Sequence, residues 1–201
     1  MIDFSTKRFP PFNGGTNNSV PYSPRNKWKA SVIRQGDIII KDYGANPFIP
    51  RLYGRICIGW EAKALEKLQG LEGIPALIGR PNPYMLKMAT VPGIPISKIE
   101  EGSMSELYFE RLVALFHAIH ARGVAHGDAH QRNILIHNDF PYLVDFSTAY
   151  VKGRVPVLDN YVFRCFVLLD LERLYKVEKR FFGRGRPPRM FLLYRLLKRT
   201  R

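Results

Sequence analysis

The sequence predicts an α+β fold, on three observations. Hydrophobic residues make up 46% and aromatic residues 12% of the 201 residues, a composition that buries a core. β-favouring runs and helical stretches follow as strands, helix, strand, helix, hairpin, helices, without regular strand–helix alternation. No internal repeat appears, and the length suits one domain, built as two small lobes.

The elements are justified in chain order. Residues 1–29, rich in Pro, Gly, Asn and Ser, read as loop with one short strand. In KASVIRQGDIIIKDY (29–43), the runs SVI and DIIIK flank the turn Arg34-Gln35-Gly36-Asp37 and predict a hairpin. IGWEAKALEKLQGL (58–71) is rich in strong helix formers, with Gly70 near its end. YMLKMA (84–89) predicts a strand that runs into the turn VPGIP. A helix is expected over about 104–121. Ser103 and Glu106 match a capping box, Leu112, Leu115, Phe116 and Ile119 share a face, and Gly123 stands past the end. ILI (134–136) and YLVDF (142–146) predict a second hairpin around HNDFP. A helix over about 160–181 follows, then the breaker GRGRPPR and a short basic helix to Arg201.

Composition bounds the function classes. No apolar run approaches the ~18 residues that span a bilayer, and MIDFSTKRFPP lacks the apolar core of a signal peptide. Cys57 and Cys165 form neither a disulfide framework nor a metal pattern, so a cytoplasmic location is the expectation. Residues 172–201 hold eleven Lys/Arg against two Glu, which is +9 of the net +14. A basic end of this kind suits an anionic partner or serves as a solvated face. In 187–201, Met190, Leu193 and Leu197 share a face beside Arg195, Lys198 and Arg199. That helix either packs on the domain or lies on the inner face of an anionic membrane.

The chemistry gathers in HGDAHQRN (126–133) and the hairpin behind it. Asn133 precedes one strand, Asp145 lies near the end of the other, and their midpoint is residue 139. A symmetric hairpin sets the two side by side. An amide oxygen beside a carboxylate is a hard ligand pair suited to Mg²⁺, which also takes phosphate oxygens. Asp128, five residues before Asn133, is placed to orient a hydroxyl nucleophile and accept its proton.

His126-Gly127-Asp128, Asn133 and Asp145-Phe146-Ser147 correspond in order to H-R-D-x-x-x-x-N followed by D-F-G, with the Asp-to-Asn spacing kept and Gly127 in place of Arg. Ser147 stands in place of the last Gly, which keeps the metal ligand but argues against a mobile switch. The chain therefore resembles the protein-kinase-like superfamily. Its HGD form is similar to aminoglycoside and choline phosphotransferases. Its shortness and element order look more like the bacterial lipopolysaccharide-kinase and RIO-like branch. The resemblance covers about residues 30–180 and implies a compact two-lobed fold with a reduced activation segment. The β-rich N-lobe would cover about 1–88, the hinge about 88–93 and the helical C-lobe about 94–201, with a basic tail at 182–201. It also implies ATP and Mg²⁺ as cofactors, with Asn133 and Asp145 as metal ligands and Asp128 as the catalytic carboxylate. Lys41, which ends IIIK, would hold phosphates. Glu61, on the inward face with Leu65 and Leu68, would hold Lys41. Backbone at Met88, Ala89 and Val91 would face adenine. His126 and Asp170 would support the catalytic loop, although Asp170 equally suits a surface helix position.

The departures shape the activity. No G-x-G-x-x-G precedes Lys41 at a usable distance; Gly14-Gly15 is far upstream, and the Asn17–Asn26 region is the candidate phosphate cover. No A-P-E follows Asp145, and the segment from Ser147 to Asn160 is too short for a peptide platform. The expectation is a phosphotransferase acting on a hydroxyl acceptor such as a lipopolysaccharide or other saccharide, a lipid headgroup or a protein serine. The alternative is a pseudokinase-like binding module whose basic tail recruits an anionic partner. A zinc site at His126-x-Asp128-x-His130 has no sulphur or further carboxylate to complete it. A nucleic-acid role rests on charge alone and ranks third.

Overall fold

The computed structural model describes residues 28–153 and 157–183. The phosphate-covering candidate at Asn17–Asn26 and the basic helix beyond Gly183 lie outside the described residues.

β1 (Ser31–Gln35) and β2 (Ile38–Asp42) form the first hairpin, with Gly36 at φ 58° in the turn. α1 runs from Phe48 to Lys67, starting ten residues before the helix expected from the sequence. Pro47 and Pro50 do not prevent this early start. Proline lacks only an N–H that the first turn leaves unpaired anyway. β3 (Leu77–Asn82) and β4 (Met85–Ala89) complete an antiparallel sheet of order β1-β2-β4-β3. β3 was not expected. It carries Gly79 and Pro81, lies at the sheet edge and pairs with two register shifts. Proline is tolerated on such an edge, but it erases the sequence signal of a strand.

β5 (Ile94–Pro95) and a 3₁₀ turn (Ile96–Lys98) lead to α2 (Glu106–Ala121). The α2 cap is Ser105, not the expected Ser103: Ser105 Oγ accepts the Tyr108 N–H at 3.0 Å, whereas Ser103 donates to the Glu100 carbonyl. β6 (Val124–Ala125), β7 (Ile134–His137) and β8 (Phe140–Leu143) follow, then a 3₁₀ turn (Phe146–Thr148), β9 (Tyr150–Val151) and α3 (Asp159–Phe182). β5, β7 and β8 form a small sheet, and β6 pairs with β9.

The result is a mixed α+β architecture, an N-terminal antiparallel sheet with α1 followed by a mainly helical part. One core joins them: Ile58, Leu65 and Leu68 of α1, Leu86 and Met88 of β4, Leu112, Phe116 and Ile119 of α2, and Leu174, Val177 and Phe181 of α3. The α2 face expected from its apolar spacing is the buried one. Among the described residues, no helix is long and apolar enough to cross a membrane.

Candidate active site

Three elements deliver three charged side chains to one point. Lys41 is the fourth residue of β2, paired with Leu86 of β4. Its Nζ lies 2.7 Å and 3.0 Å from the two Glu61 carboxylate oxygens and 3.0 Å from Asp145 Oδ1. Glu61 is buried on the inward face of α1 and also accepts the Phe146 N–H at 3.3 Å. One carboxylate thus ties the strand lysine, its own helix and the segment after β8. Glu66, five residues further along this helix, is exposed.

The hairpin that carries Asp145 is one residue tighter than expected. Ile134 pairs with Leu143, and His137 pairs with Phe140. The turn is Asn138-Asp139, both at positive φ (50° and 54°), as a two-residue type I′ turn requires. The residue opposite Asn133 is therefore Val144, whose N–H bonds the Asn133 carbonyl at 3.0 Å. Asp145 is not side by side with Asn133; it is one residue beyond the partner. Its left-handed backbone, φ 65° and ψ 71°, ends the strand course and opens the 3₁₀ turn. Asp145 Oδ1 accepts from Ser147 Oγ at 2.8 Å as well as from Lys41.

The electrostatics follow from this cluster. Burial alone would lower Lys41, but Glu61 and Asp145 hold its pKa well above the ordinary lysine range. Partial burial alone would raise Asp145, yet the Lys41 ammonium holds it well below the usual carboxylate range. Burial pushes the Glu61 carboxyl up against the opposing pull of Lys41. A depressed carboxyl contributes stability that is complete above its ordinary value of 3.8 and is lost as pH falls through that value towards the folded one. In chelator, Asp145→Asn should therefore lose less stability than wild type between pH 7 and pH 3 in urea unfolding. An equal loss in the two proteins would remove the Lys41–Asp145 pair as a source of acid sensitivity.

The loop 126–133 is held from behind. Asp170 of α3 is fully buried and accepts three bonds of 2.8 Å, from the His126 N–H, the Gly127 N–H and His120 Nε2. His126 is buried, bonds the Val144 carbonyl at 3.0 Å and packs on the Phe146 ring with centroids 4.6 Å apart. Gly127 has φ +77°, and a Cβ there would meet the Phe166 ring at 2.8 Å and the Thr148 carbonyl at 3.0 Å. No side chain fits at that position, the one at which the H-R-D pattern carries arginine.

Asn133 Nδ2 donates to the Asp128 carbonyl at 3.1 Å, and no donor meets its Oδ1 among the described residues. The Asp128 carboxylate is 41% exposed, with Arg173 Nη2 at 3.4 Å and His130 Nε2 at 4.0 Å. Sequence reasoning missed Arg173, His120 and Ser147 as partners. Arg173 and His120 reach across 45 and 50 residues, which no local pattern signals.

Two of the three expected adenine-facing positions are engaged elsewhere. Met88 is buried in β4 with strands on both sides, opposite Ile39 and Leu77. The Ala89 N–H bonds the Ala76 carbonyl, and the next N–H, of Thr90, bonds the Asp37 carbonyl. A strand with neighbours on both edges has its ladder groups committed. Val91, past the strand end, is the remaining position.

The donor set suits Mg²⁺, a hard cation bound through one or two carboxylates, phosphate oxygens and waters. Asp145 supplies an ionised carboxylate and Asn133 an amide oxygen. Among the described residues no cluster of three His, Cys, Asp or Glu side chains forms a self-sufficient metal cage.

This architecture is that of a protein-kinase-like fold. The chain is similar to the Rio2 kinase of Chaetomium thermophilum in its complex with ADP, Mg²⁺ and phosphoaspartate, at 16% identity and a TM-score of 0.58 over 79% of this chain and 54% of that one. A second crystal structure of the same kinase gives 15% identity and a TM-score of 0.60, over 79% and 55%. A monomeric WbdD structure is a weaker match, 20% identical with a TM-score of 0.48 over 70% and 37%. The chain spans about half the length of the Rio2 chains it matches. No family model and no curated protein matches its sequence.

Proposed function

We propose that the protein is an ATP-dependent phosphotransferase that moves the γ-phosphoryl group of ATP to a hydroxyl acceptor. The observation that carries this reading is the single bonded cluster of Lys41, Glu61 and Asp145, drawn from β2, α1 and the segment after β8. A lysine held charged and anchored by a buried carboxylate is a fixed cation for nucleotide phosphates. It needs no reorganisation when they arrive. Asp145 and the Asn133 oxygen would hold Mg²⁺, which when bound neutralises charge on the β- and γ-phosphate oxygens. Val91 would approach the base. The part-exposed Asp128 would orient the acceptor hydroxyl and take its proton. Arg173 and His130 flank that carboxylate and limit where an acceptor enters. The acceptor class in this reading is a saccharide, including lipopolysaccharide, or a protein serine, in the cytoplasm where ATP is supplied. ADP and Mg²⁺ in the Rio2 structure support the choice of cofactors.

Thermal unfolding with ATP, with and without Mg²⁺, tests the reading. A ligand bound only by the native state at a hundredfold excess over its Kd stabilises by about 2.7 kcal/mol. That amounts to roughly 5–11 °C for a domain of this size. The expected shift requires Mg²⁺ and disappears in Asp145→Ala. No shift up to millimolar ATP would defeat the proposal and favour a binding module without nucleotide.

A further inference from the structure

α1 has two apolar faces; one is buried in the core, and among the described residues only the Trp28 ring lies against the other. Pro50, Gly54, Cys57, Ile58 and Glu61 are buried. Gly54 lies so close to the Tyr43 ring that a Cβ would come within 2.2 Å of it. The opposite side carries Phe48, Ile49, Leu52, Tyr53 and Ile56, exposed by 72%, 66%, 49%, 46% and 44%. These are positions i, i+1, i+4, i+5 and i+8, one continuous stripe on a helix. Five large apolar side chains on one exposed stripe exceed the scattered single residues of an ordinary surface. Trp28, also part-exposed, adds its ring edge-on to Tyr53 at a centroid distance of 5.9 Å.

Charge and shape select the occupant. From Tyr43 to Trp60 there is no Asp or Glu, while Arg55 stands exposed within the apolar stretch and Arg51 lies over the Tyr84 ring at 5.6 Å. Lys63, seven residues after Ile56, prolongs the stripe as an exposed cation. The stripe is the outer ridge of a helix, a convex surface suited to a fluid bilayer rather than to a side chain entering a pocket. Aliphatic residues at the apex, aromatic rings with polar edges and flanking cations form the pattern of an interfacial helix on anionic lipid.

We propose that this stripe of α1 docks the protein on an anionic lipid surface. Phe48, Ile49, Leu52, Tyr53 and Ile56 enter the boundary between headgroups and acyl chains, and Arg55 and Lys63 lie over lipid phosphates. The inference is independent of the phosphotransferase reading and of the basic C-terminal segment. It concerns the face of α1 opposite Glu61.

Flotation of the full chain with vesicles tests it, using phosphatidylcholine alone or mixed with phosphatidylglycerol, at low and high salt. Wild type should associate with the mixed vesicles and be weakened by salt. Leu52→Ser with Ile56→Ser should bind about tenfold or more weakly, with unchanged thermal unfolding, because both side chains are exposed. Arg55→Glu with Lys63→Glu should lose the preference for anionic vesicles by about tenfold or more. Arg195→Glu with Lys198→Glu, in the C-terminal segment, should have the smaller effect. Several results would overturn the proposal. One is no association by wild type. Another is equal binding by the Leu52/Ile56 double variant. A third is a dimer of the free protein that the same double variant dissolves, which would place a second copy on the stripe.

Discussion

Asp128→Ala should lower turnover by about 10²–10⁴-fold, the range for removing a general base, with ATP–Mg²⁺ stabilisation unchanged. The geometry supports both halves of that expectation. The Asp128 carboxylate is 41% exposed and, among the described residues, makes only a long contact to Arg173 at 3.4 Å and a longer one to His130 at 4.0 Å. Deleting it should therefore change stability by no more than about 1 kcal/mol. The loop around it is shaped by backbone bonds that the substitution leaves in place: Asp170 to the His126 and Gly127 N–H groups, His130 N–H to the Asp128 carbonyl, and Asn133 Nδ2 to that same carbonyl. The Lys41–Glu61–Asp145 cluster does not involve Asp128. At about 1.4 kcal/mol per tenfold, the loss is roughly 3–5 kcal/mol of barrier from a group that adds almost nothing to folding. The measurement is ADP formation with a panel of saccharides and serine peptides, with thermal shift by ATP–Mg²⁺ as the control. Turnover equal to wild type would take Asp128 out of the proposed chemistry. Loss of the thermal shift as well would mean that the substitution had collapsed the loop.

The site was legible where chemistry is encoded by local spacing. HGDxxxxN places Asp128 and Asn133 in one loop. The position of Glu61 beside Leu65 on a helix face singles it out as the inward carboxylate, and the structure bonds it to Lys41. Register was less legible. Placing Asn133 opposite Asp145 assumed a turn centred on residue 139, whereas Asn138 and Asp139 both accept positive φ and make the tighter turn. A one-residue change then sets Val144 opposite Asn133. Asp145 comes to Lys41 through its left-handed backbone instead of through the ladder. Edge strand β3 and the first ten residues of α1 were hidden by the same residue type: proline, read as a breaker, is harmless at a sheet edge and in a first helical turn. The supports least legible were His120 and Arg173. Their partners, Asp170 and Asp128, are distant in sequence, and only the packing of α3 against α2 and β6 brings them together.

Asp170→Ala should carry one of the largest stability losses among the described residues. The two Asp170 oxygens are fully buried and accept three bonds of 2.8 Å, two from backbone N–H groups and one from His120. Asp170→Ala removes every acceptor at once and leaves two amides and an imidazole facing an apolar interior. An unsatisfied buried donor costs about 1–3 kcal/mol, and breaking a buried charged network about 3–5 kcal/mol. Some of the stranded groups will find water, so the expected loss is about 3–5 kcal/mol in urea unfolding rather than the full sum. Asp170→Asn should recover only part of this, because its amide nitrogen would face donors in place of one oxygen. His120→Ala should be milder than either, because it removes one donor and leaves both backbone bonds intact. That ranking separates a network acceptor from a mere filler of space, since a volume effect would spare Asn and punish Ala alone. The same substitution bears on activity, because the two amides held by Asp170 immediately precede Asp128. In protein that remains folded, Asp170→Asn should reduce turnover more than ATP binding. An Asp170→Ala protein within about 1 kcal/mol of wild type would show that the three bonds add little beyond what water supplies.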